Sequence, residues 1–465
     1  MKRTLRDVAR VVGGVLKGED HPFGCVSTDS RTLKPGALFV ALRGPNFDGT
    51  AFVQAAAAQG AIGALVERET PGALPQVVVA DTLRALQELG RSWRADFTLP
   101  VVAVAGSNGK TTAKEMTAAI LSRMGLCMAT RGNLNNHIGV PVTLMRLEPA
   151  HRSAVIEMGA NRVGDVAELM HLAQPAVGLI TNAGAEHLEG FGDLDGVAKG
   201  EGETVSCLKP DGTAIINADD AYAGYWRGVS GATRVVTFGV RAHADFAARN
   251  IIQAIEKGEF ATRFTLLCPL GERAIMLKAG GAHNVGNALA AAAAAAAAGA
   301  SLEDIASGLA DFRAVSGRLQ LKPGARGSWI IDDSYNANPS SVRAGLDVLR
   351  SLAGVTWLVL GDMAELGESS QDSHAHIGSY ARDCGIKRLF ALGPLSTRAV
   401  ETFGSGGEWF ADADSLTRRL QAELSAGVTV LIKGSRINRL ERVVQALTGV
   451  GVGSGTGSGP MMRAS

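Results

Sequence analysis

The run Val101-Val102-Ala103-Val104-Ala105 leads at once into Gly106-Ser107-Asn108-Gly109-Lys110-Thr111-Thr112, and no other stretch constrains the fold as strongly. A short apolar run rich in valine predicts a strand, and Lys110 to Met124 predicts a helix, which together give the strand-loop-helix of a nucleotide-binding core. Glycines in the loop let backbone N–H groups turn inward, and the start of the helix adds a partial positive charge, so the loop suits phosphate. Lys110 is placed to reach β- and γ-phosphates, and Thr111 to set its hydroxyl on Mg²⁺. The full eight-residue phosphate-loop pattern would need glycine at Val104, so only its Gly-Lys-Thr half is present.

Other polar residues follow predicted strands. Glu157 ends Ala154-Val155-Ile156, and His187 follows Val177 to Thr181, which puts both near the C-terminal edge of a sheet, where open α/β sheets bind ligands. A carboxylate and an imidazole there could share an ion that bridges phosphate and substrate oxygens. Spacing alone leaves His187 an ordinary loop histidine and Lys199 a solvated helix lysine. His283-Asn284 with Asn287 could cap the following helix or touch nucleotide, and spacing favours the cap.

Apolar runs alternate with helix-sized segments through Ala214 to Ile216, which favours a mainly parallel sheet. Leu38 to Leu42, Ile62 to Val66 and Val77 to Val79 around Phe52 to Gln59 make a smaller α/β unit upstream. Beyond Ala314 to Gln320 the pattern restarts at Trp329 to Ile331, Thr356 to Leu360, Arg388 to Leu392 and Thr429 to Ile432. A chain of 465 residues accommodates about three domains at roughly 150 residues each. The Ala290 to Ala298 run reads as a packed or half-exposed helix, and no stretch reaches the length of a membrane span. A net charge of +1 excludes the basic footprint of a nucleic-acid or anionic-membrane binder. The five cysteines lack zinc spacing and read as reduced thiols of a cytoplasmic protein.

Taken in order, these motifs resemble the Mur ligase family, ATP-dependent enzymes that add amino acids to the UDP-linked peptidoglycan precursor. The resemblance runs from about Ser27 to Val444. Gly106 to Thr111 carries it, together with Asn133-Leu134-Asn135-Asn136 before Ile138-Gly139-Val140-Pro141, Glu157, His187, Lys199, His283-Asn284 with Asn287, and Gly317-Arg318. Asp29-Ser30-Arg31, Gly36 to Leu42, Asp332 to Pro339, Leu360 to Gly367 and Leu431 to Arg436 resemble the member that joins D-alanyl-D-alanine to UDP-N-acetylmuramoyl-tripeptide. The Asp-Asn-Pro-Arg motif of the diaminopimelate- or lysine-adding sister is absent from the sequence.

The resemblance implies an α/β fold of three domains: a small UDP-binding domain over 1–98, a central P-loop-type, mainly parallel sheet ATPase domain over 99–314, and a Rossmann-like open α/β domain over 315–448 for the acceptor. A disordered tail over 449–465 is expected from its Gly/Ser-rich sequence. ATP is expected on Gly106, Ser107, Asn108, Gly109, Lys110, Thr111, Thr112, Asn284, Asn287, Arg318 and Asp333. Two Mg²⁺ ions are expected, on Thr111 and Glu157 and on His187 and a carbamylated Lys199, with Lys110, Glu157, His187 and Lys199 carrying the chemistry. Ser30 and Arg31 are expected at the UDP end, and Asn336, Asn338, Lys433, Ser435 and Arg436 at the dipeptide. A monomer is expected. A sister Mur or folylpolyglutamate-type ligase and a catalytically silent nucleotide-binding scaffold are the alternatives. Two positions depart from the family pattern: His137 stands where an acidic residue is usual, and Thr50 where a histidine follows Asp48-Gly49.

Overall fold

Three sheets, each covered by helices, follow one another along the chain. The structure is a computed structural model that describes residues 3–44, 47–72 and 74–449. The tail expected to be disordered lies outside the described residues except for Gly449, which closes the last helix.

The first sheet runs in the order Val15–Lys17, Gln76–Val78, Gly63–Val66, Ala37–Val40, Cys25–Ser27, with an antiparallel first pair and parallel pairs after it. Two helices here escape the apolar-run reading. Leu5–Val12 is set by a Thr4/Asp7 capping box and stopped by left-handed Gly13, while Thr82–Ala95 starts from the Asp81 cap. Their short buried faces, such as Leu5, Val8 and Ala9, are interleaved with arginines, so neither forms a continuous apolar run.

The central sheet has nine strands. Its order is Cys127–Ala129, Ser153–Glu157, Val101–Ala105, Val177–Ile180, Thr213–Asn217, Arg234–Gly239, Phe246–Glu256, Glu259–Cys268, Gly271–Leu277. All pairs are parallel as far as Phe246–Glu256, and the last two pairs are antiparallel. From Val101–Ala105 the chain first builds strands on one side and then crosses to the other, so the loops after Val101–Ala105, Ser153–Glu157 and Val177–Ile180 diverge there. Such a reversal opens a crevice at the C-terminal ends of the strands. Register sets the reach of the loops: Val104 pairs with Glu157 and Ala105 with Ile180.

Beneath the crevice lies Ala282–Ala297, buried from Ala288 through Ala295 in one core with Met116 and Ile120 of the helix Lys110–Leu121. Alanine allows this close approach of helix backbones. The six-stranded third sheet is ordered Gln320–Pro323, Trp329–Asp333, Val428–Lys433, Val355–Gly361, Arg388–Leu392, Gly407–Phe410 and is parallel after its first pair. The expected α/β class and mainly parallel central sheet are thus observed. The three strands Phe246–Glu256, Glu259–Cys268 and Gly271–Leu277, each antiparallel to the next at the edge of the central sheet, were not expected, because exposed Ile252 and Met276 blur the alternation. No described helix is long and apolar enough to cross a membrane.

Ala291→Leu forces four-carbon bulk into a position with no exposure. Thermal or denaturant unfolding is expected to show a loss of about 1–3 kcal/mol, the usual result of overpacking a core.

Candidate active site

Gly106 leaves the strand with φ 116°, and a Cβ there would lie 2.2 Å from Thr181 Oγ1. Gly109, at φ 82°, would put a Cβ 2.3 Å from Asn287 Oδ1. Only glycine meets both the backbone and the space requirement at these two positions. Between them the loop is cross-tied to the loop after Val177–Ile180. Thr181 Oγ1 donates to the Asn108 carbonyl at 2.7 Å, the Asn108 N–H donates to Asn182 Oδ1 at 3.0 Å, and the Gly184 N–H donates to Ser107 Oγ at 2.8 Å. Lys110 Nζ donates to the Ser107 carbonyl at 3.2 Å and meets Glu186 Oε1 at 3.1 Å. Thr112 is half-buried in the first turn of the helix that Lys110 opens.

Three carboxylates face this single lysine. Burial pulls the Lys110 ammonium toward its neutral form, but the charges of Glu186, Glu201 and Glu157 outweigh that and raise its pKa above the ordinary lysine value. Glu201, whose Oε2 accepts the Gly106 N–H at 2.6 Å, is pushed up to about 7 by burial; Lys110 opposes the shift and Glu186 adds to it. Neither Glu186 nor Glu201 was expected at the site. Glu201 stands two residues beyond Lys199 on the helix Leu194–Ser206, and nothing in its spacing tells that its side chain turns inward.

Glu157 is buried at its strand end, where Oε1 accepts from Asn135 Nδ2 at 2.9 Å. Its Oε2 has no hydrogen-bond partner, and Lys114 Nζ is 3.9 Å away. A buried, unpartnered carboxylate oxygen is costly unless a cation meets it. With Thr111 Oγ1, in the first turn of the helix that Lys110 opens, the donor set fits an oxygen-loving divalent ion. No group of three His, Cys, Asp or Glu side chains that could hold a metal exists among the described residues, so phosphate or water oxygens would have to complete such a shell.

His187 sits in the left-handed region at φ 49°, with Nδ1 2.6 Å from Glu365 Oε2 of the third sheet domain. Lys199 is exposed and, among the described residues, makes no hydrogen bond or ion pair. The expected helix cap is corrected: Gly281 is the N-cap residue and no side chain caps that end. Asn284 Nδ2 instead donates back to the Gly280 carbonyl at 2.8 Å, and Asn284 Oδ1 accepts from Asn287 Nδ2 at 3.1 Å, which holds Asn287 against Gly109.

The third domain rests on the phosphate loop. Arg318 Nη2 donates to Thr111 Oγ1 at 2.9 Å, Asn338 Nδ2 donates to Asn108 Oδ1 at 2.9 Å, and Asn108 Nδ2 donates to Ser340 Oγ at 2.9 Å. Asn338 also caps the helix Pro339–Arg350, so this expected acceptor residue lies at the seam with the loop. Asp333 spends its carboxylate on the Leu319 N–H and on Lys433 Nζ, 2.6 Å away. Lys433 is buried and also donates to the Asn336 carbonyl, so it is not a free cation, while Ser435 Oγ donates to the Ala337 carbonyl at 3.1 Å. Arg436 is exposed, with its guanidinium 6.0 Å from the Tyr335 ring.

In the first domain Arg31 is exposed and bidentate to Asp29, and that hydrogen-bonded pairing holds the Asp29 carboxyl at about 2. Ser30 makes no hydrogen bond among the described residues. Of the two departures, Thr50 bonds to Asp48 at the start of a short helix, and His137 is exposed.

A phosphate loop at the reversal point of a parallel sheet, with a second sheet domain seated on it, defines a multidomain α/β nucleotide-binding protein. Family models match over most of the chain: the Mur ligase family catalytic domain over residues 22–94, the Mur ligase middle domain over 104–295 and the Mur ligase glutamate ligase domain over 317–436. A relative from Escherichia coli K12, UDP-N-acetylmuramoyl-tripeptide--D-alanyl-D-alanine ligase, is 44% identical over 96% of this chain and 98% of its own. The crystal structure of MurF from Acinetobacter baumannii superposes with a TM-score of 0.90 at 34% identity, covering 97% of this chain and 99% of that one. MurF ligase from Thermotoga maritima in complex with ADP gives 0.80 at 25% identity, over 91% and 96%. The chain belongs to the Mur ligase family.

Two outcomes follow from the loop. Gly109→Ala combines left-handed strain with a clash on Asn287, and an ATP-binding titration is expected to show a loss of roughly tenfold or more, given ~1–2 kcal/mol for the backbone alone. Between the ordinary glutamate value of 4.5 and about 7, the folded protein keeps a proton on Glu201 that the unfolded chain has released. Stability therefore falls as pH rises through that window, by roughly 3 kcal/mol in all. Unfolding curves of Glu201→Gln at several pH values are expected to lack this component of the slope.

Proposed function

We propose that this chain is an ATP-dependent ligase that joins D-alanyl-D-alanine to UDP-N-acetylmuramoyl-tripeptide in the cytoplasm, as a step of peptidoglycan precursor synthesis. The observation that carries the reading is the near-complete match, at both chain ends, to relatives that bear this activity as their name. The seating of the third domain on the phosphate loop supports it, because a ligase must bring acceptor and activated acid together. We divide the chain at 1–98 for the UDP end, 99–314 for ATP and 315–448 for the dipeptide.

A carboxylate is a poor acylating agent. In the proposed reaction the terminal carboxylate of the tripeptide attacks the γ-phosphorus of ATP, which releases ADP and leaves an acyl phosphate. The dipeptide amine then attacks the acyl carbon, phosphate departs, and the ammonium's proton is given up as the amide forms. Carboxylate and triphosphate repel each other, so donors must be fixed where charge builds up. Lys110 supplies a cation that its three carboxylate neighbours keep protonated, while Gly106, Ser107, Asn108 and Gly109 hold the loop in shape for phosphate and Thr112 lies in the first turn behind it. Asn284 positions Asn287, which packs beneath Gly109. Arg318, already at Thr111, is placed to reach the nucleotide, and Asp333 sets Lys433 behind it.

Thr111 and Glu157 would hold one Mg²⁺, and His187 with a carbamylated Lys199 a second; the ions would neutralise phosphate charge. The exposed Lys199 amine is open to CO₂, and carbamylation would turn a group that repels a cation into one that binds it. Asn336, Ser435 and Arg436 would shape the dipeptide side, with Arg436 as its exposed cation. Ser30 and Arg31 would meet the UDP end.

The test is phosphate release from ATP with UDP-N-acetylmuramoyl-tripeptide, comparing D-alanyl-D-alanine with single amino acids. Release and a pentapeptide product that require the dipeptide are expected. Turnover only with diaminopimelate or lysine would move the chain to a sister activity, and no turnover with any acceptor would overturn the ligase reading. Lys110→Met is expected to lower kcat by roughly 10²–10³, the usual cost of losing one charge-stabilising donor. Lys199→Ala is expected to lose activity and to regain part of it with added short carboxylates.

A further inference from the structure

Glu365 belongs to no residue set assigned above, yet it makes the contact that ties the third domain to His187. Its carboxylate Oε2 lies 2.6 Å from His187 Nδ1. In this ion pair a ring nitrogen and a carboxylate oxygen attract only when that nitrogen carries a hydrogen.

The backbone around Glu365 is built to present it. Glu365 is one of few non-glycine residues in the left-handed region, at φ 63°, a conformation that persists only where neighbours enforce it. Those neighbours are pinned. The Asp362 carboxylate takes the Ser396 N–H at 2.7 Å and the Ser396 hydroxyl at 2.6 Å. The Met363 N–H donates to His374 Nε2 at 2.9 Å, and the Ala364 N–H donates to Ser435 Oγ at 2.9 Å. Met363 and Leu366 are buried on either side, while the Glu365 side chain is 57% exposed and points across the seam. The next residue but one, Gly367, brings the loop against the helix that follows His187, where an added Cβ would lie 3.6 Å from Glu189 Cγ.

We propose that Glu365 is a positioning residue for the proposed ligase reaction, which holds the hydrogen of His187 on Nδ1 and so leaves Nε2 with its lone pair when the third domain is seated. The general chemistry is familiar: a ligand histidine gives its other N–H to a carboxylate, which fixes its tautomer and raises its basicity. What is particular here is that the carboxylate comes from another domain. His187 is set for its task only when the acceptor domain arrives, so ion binding at His187 and delivery of the amine are coupled. The inference rests on the reading of His187 as an ion ligand.

The experiment uses the full chain labelled with ¹⁵N-histidine, alone and with ADP and Mg²⁺, and assigns the His187 ring signals from their loss in His187→Asn. Wild type is expected to show a protonated Nδ1 and an unprotonated Nε2, and Glu365→Ala a shift toward the other tautomer. In steady-state assays Glu365→Ala and Glu365→Gln are expected to lose roughly 10–100-fold in kcat with little change in the KM for ATP. Glu189→Gln, on the same seam, is expected to match wild type. If His187→Asn keeps full activity, the ion-ligand reading fails and the inference with it. If His187→Asn is inactive while Glu365→Ala keeps wild-type kcat and wild-type ring signals, the ion-ligand reading stands and the inference is overturned.

Discussion

Everything at this site depends on the burial of one lysine among three glutamates at the end of a parallel sheet. Lys110, Glu157, Glu186 and Glu201 are all largely shielded from water, and buried charges are tolerated only when each is matched. One ammonium cannot match three carboxylates. The imbalance is met in part by Glu201, whose burial favours its protonated form near neutral pH, and by Glu186, which pairs with Lys110 directly. Glu157 meets a second buried ammonium, Lys114 Nζ at 3.9 Å, and keeps one oxygen without a hydrogen bond. An acid-rich cluster by itself would repel a triphosphate, so the arrangement makes sense only for a nucleotide that arrives with cations. In the proposed ATP complex Lys110 would face the phosphates and Glu157 the metal.

That cluster also explains why the third domain must reach so far. The loop offers Thr111 Oγ1 to whatever lies in the crevice, and Arg318 occupies it. In the proposed ATP complex a metal ion on Thr111 would compete with Arg318 for the same hydroxyl, and Arg318 would shift onto phosphate oxygen. The Asn108 side chain, bonded to both Asn338 and Ser340, carries such a shift to the start of the helix Pro339–Arg350. Movement of the third domain and filling of the nucleotide site would then be the same event seen from two sides.

What the sequence makes legible is what is contiguous in it. The strand, the two glycines, Lys110 and Thr111 lie within a dozen residues, and their geometry follows from local rules of turn and helix start. Glu157 was legible because a carboxylate closing an apolar strand has only one place to be. Glu201 and Glu365 were not, since a glutamate on a helix facing inward and a glutamate in a loop reaching another domain are settled by tertiary contact. The same limit hid the partner of Lys433, a residue expected at the dipeptide: a neighbouring strand brings Asp333 to within 2.6 Å. Asn287 shows the reverse case: its spacing with His283-Asn284 suggests a cap, but glycine already begins that helix, and the Asn287 amide donates to Asn284 Oδ1 and lies against the loop at Gly109.

The alanine run shows how the interior serves the loop. A helix of larger residues beneath the crevice would stand farther from the helix that begins at Lys110, because interaxial distance is set by the side chains at the contact. Asn287 would then no longer lie against Gly109, whose missing Cβ is what admits the amide. Small residues at Gly109, at Ala288 and at Ala290 through Ala295 thus solve one problem from two directions. The low-complexity stretch that looks least informative in the sequence fixes the distance on which phosphate binding rests.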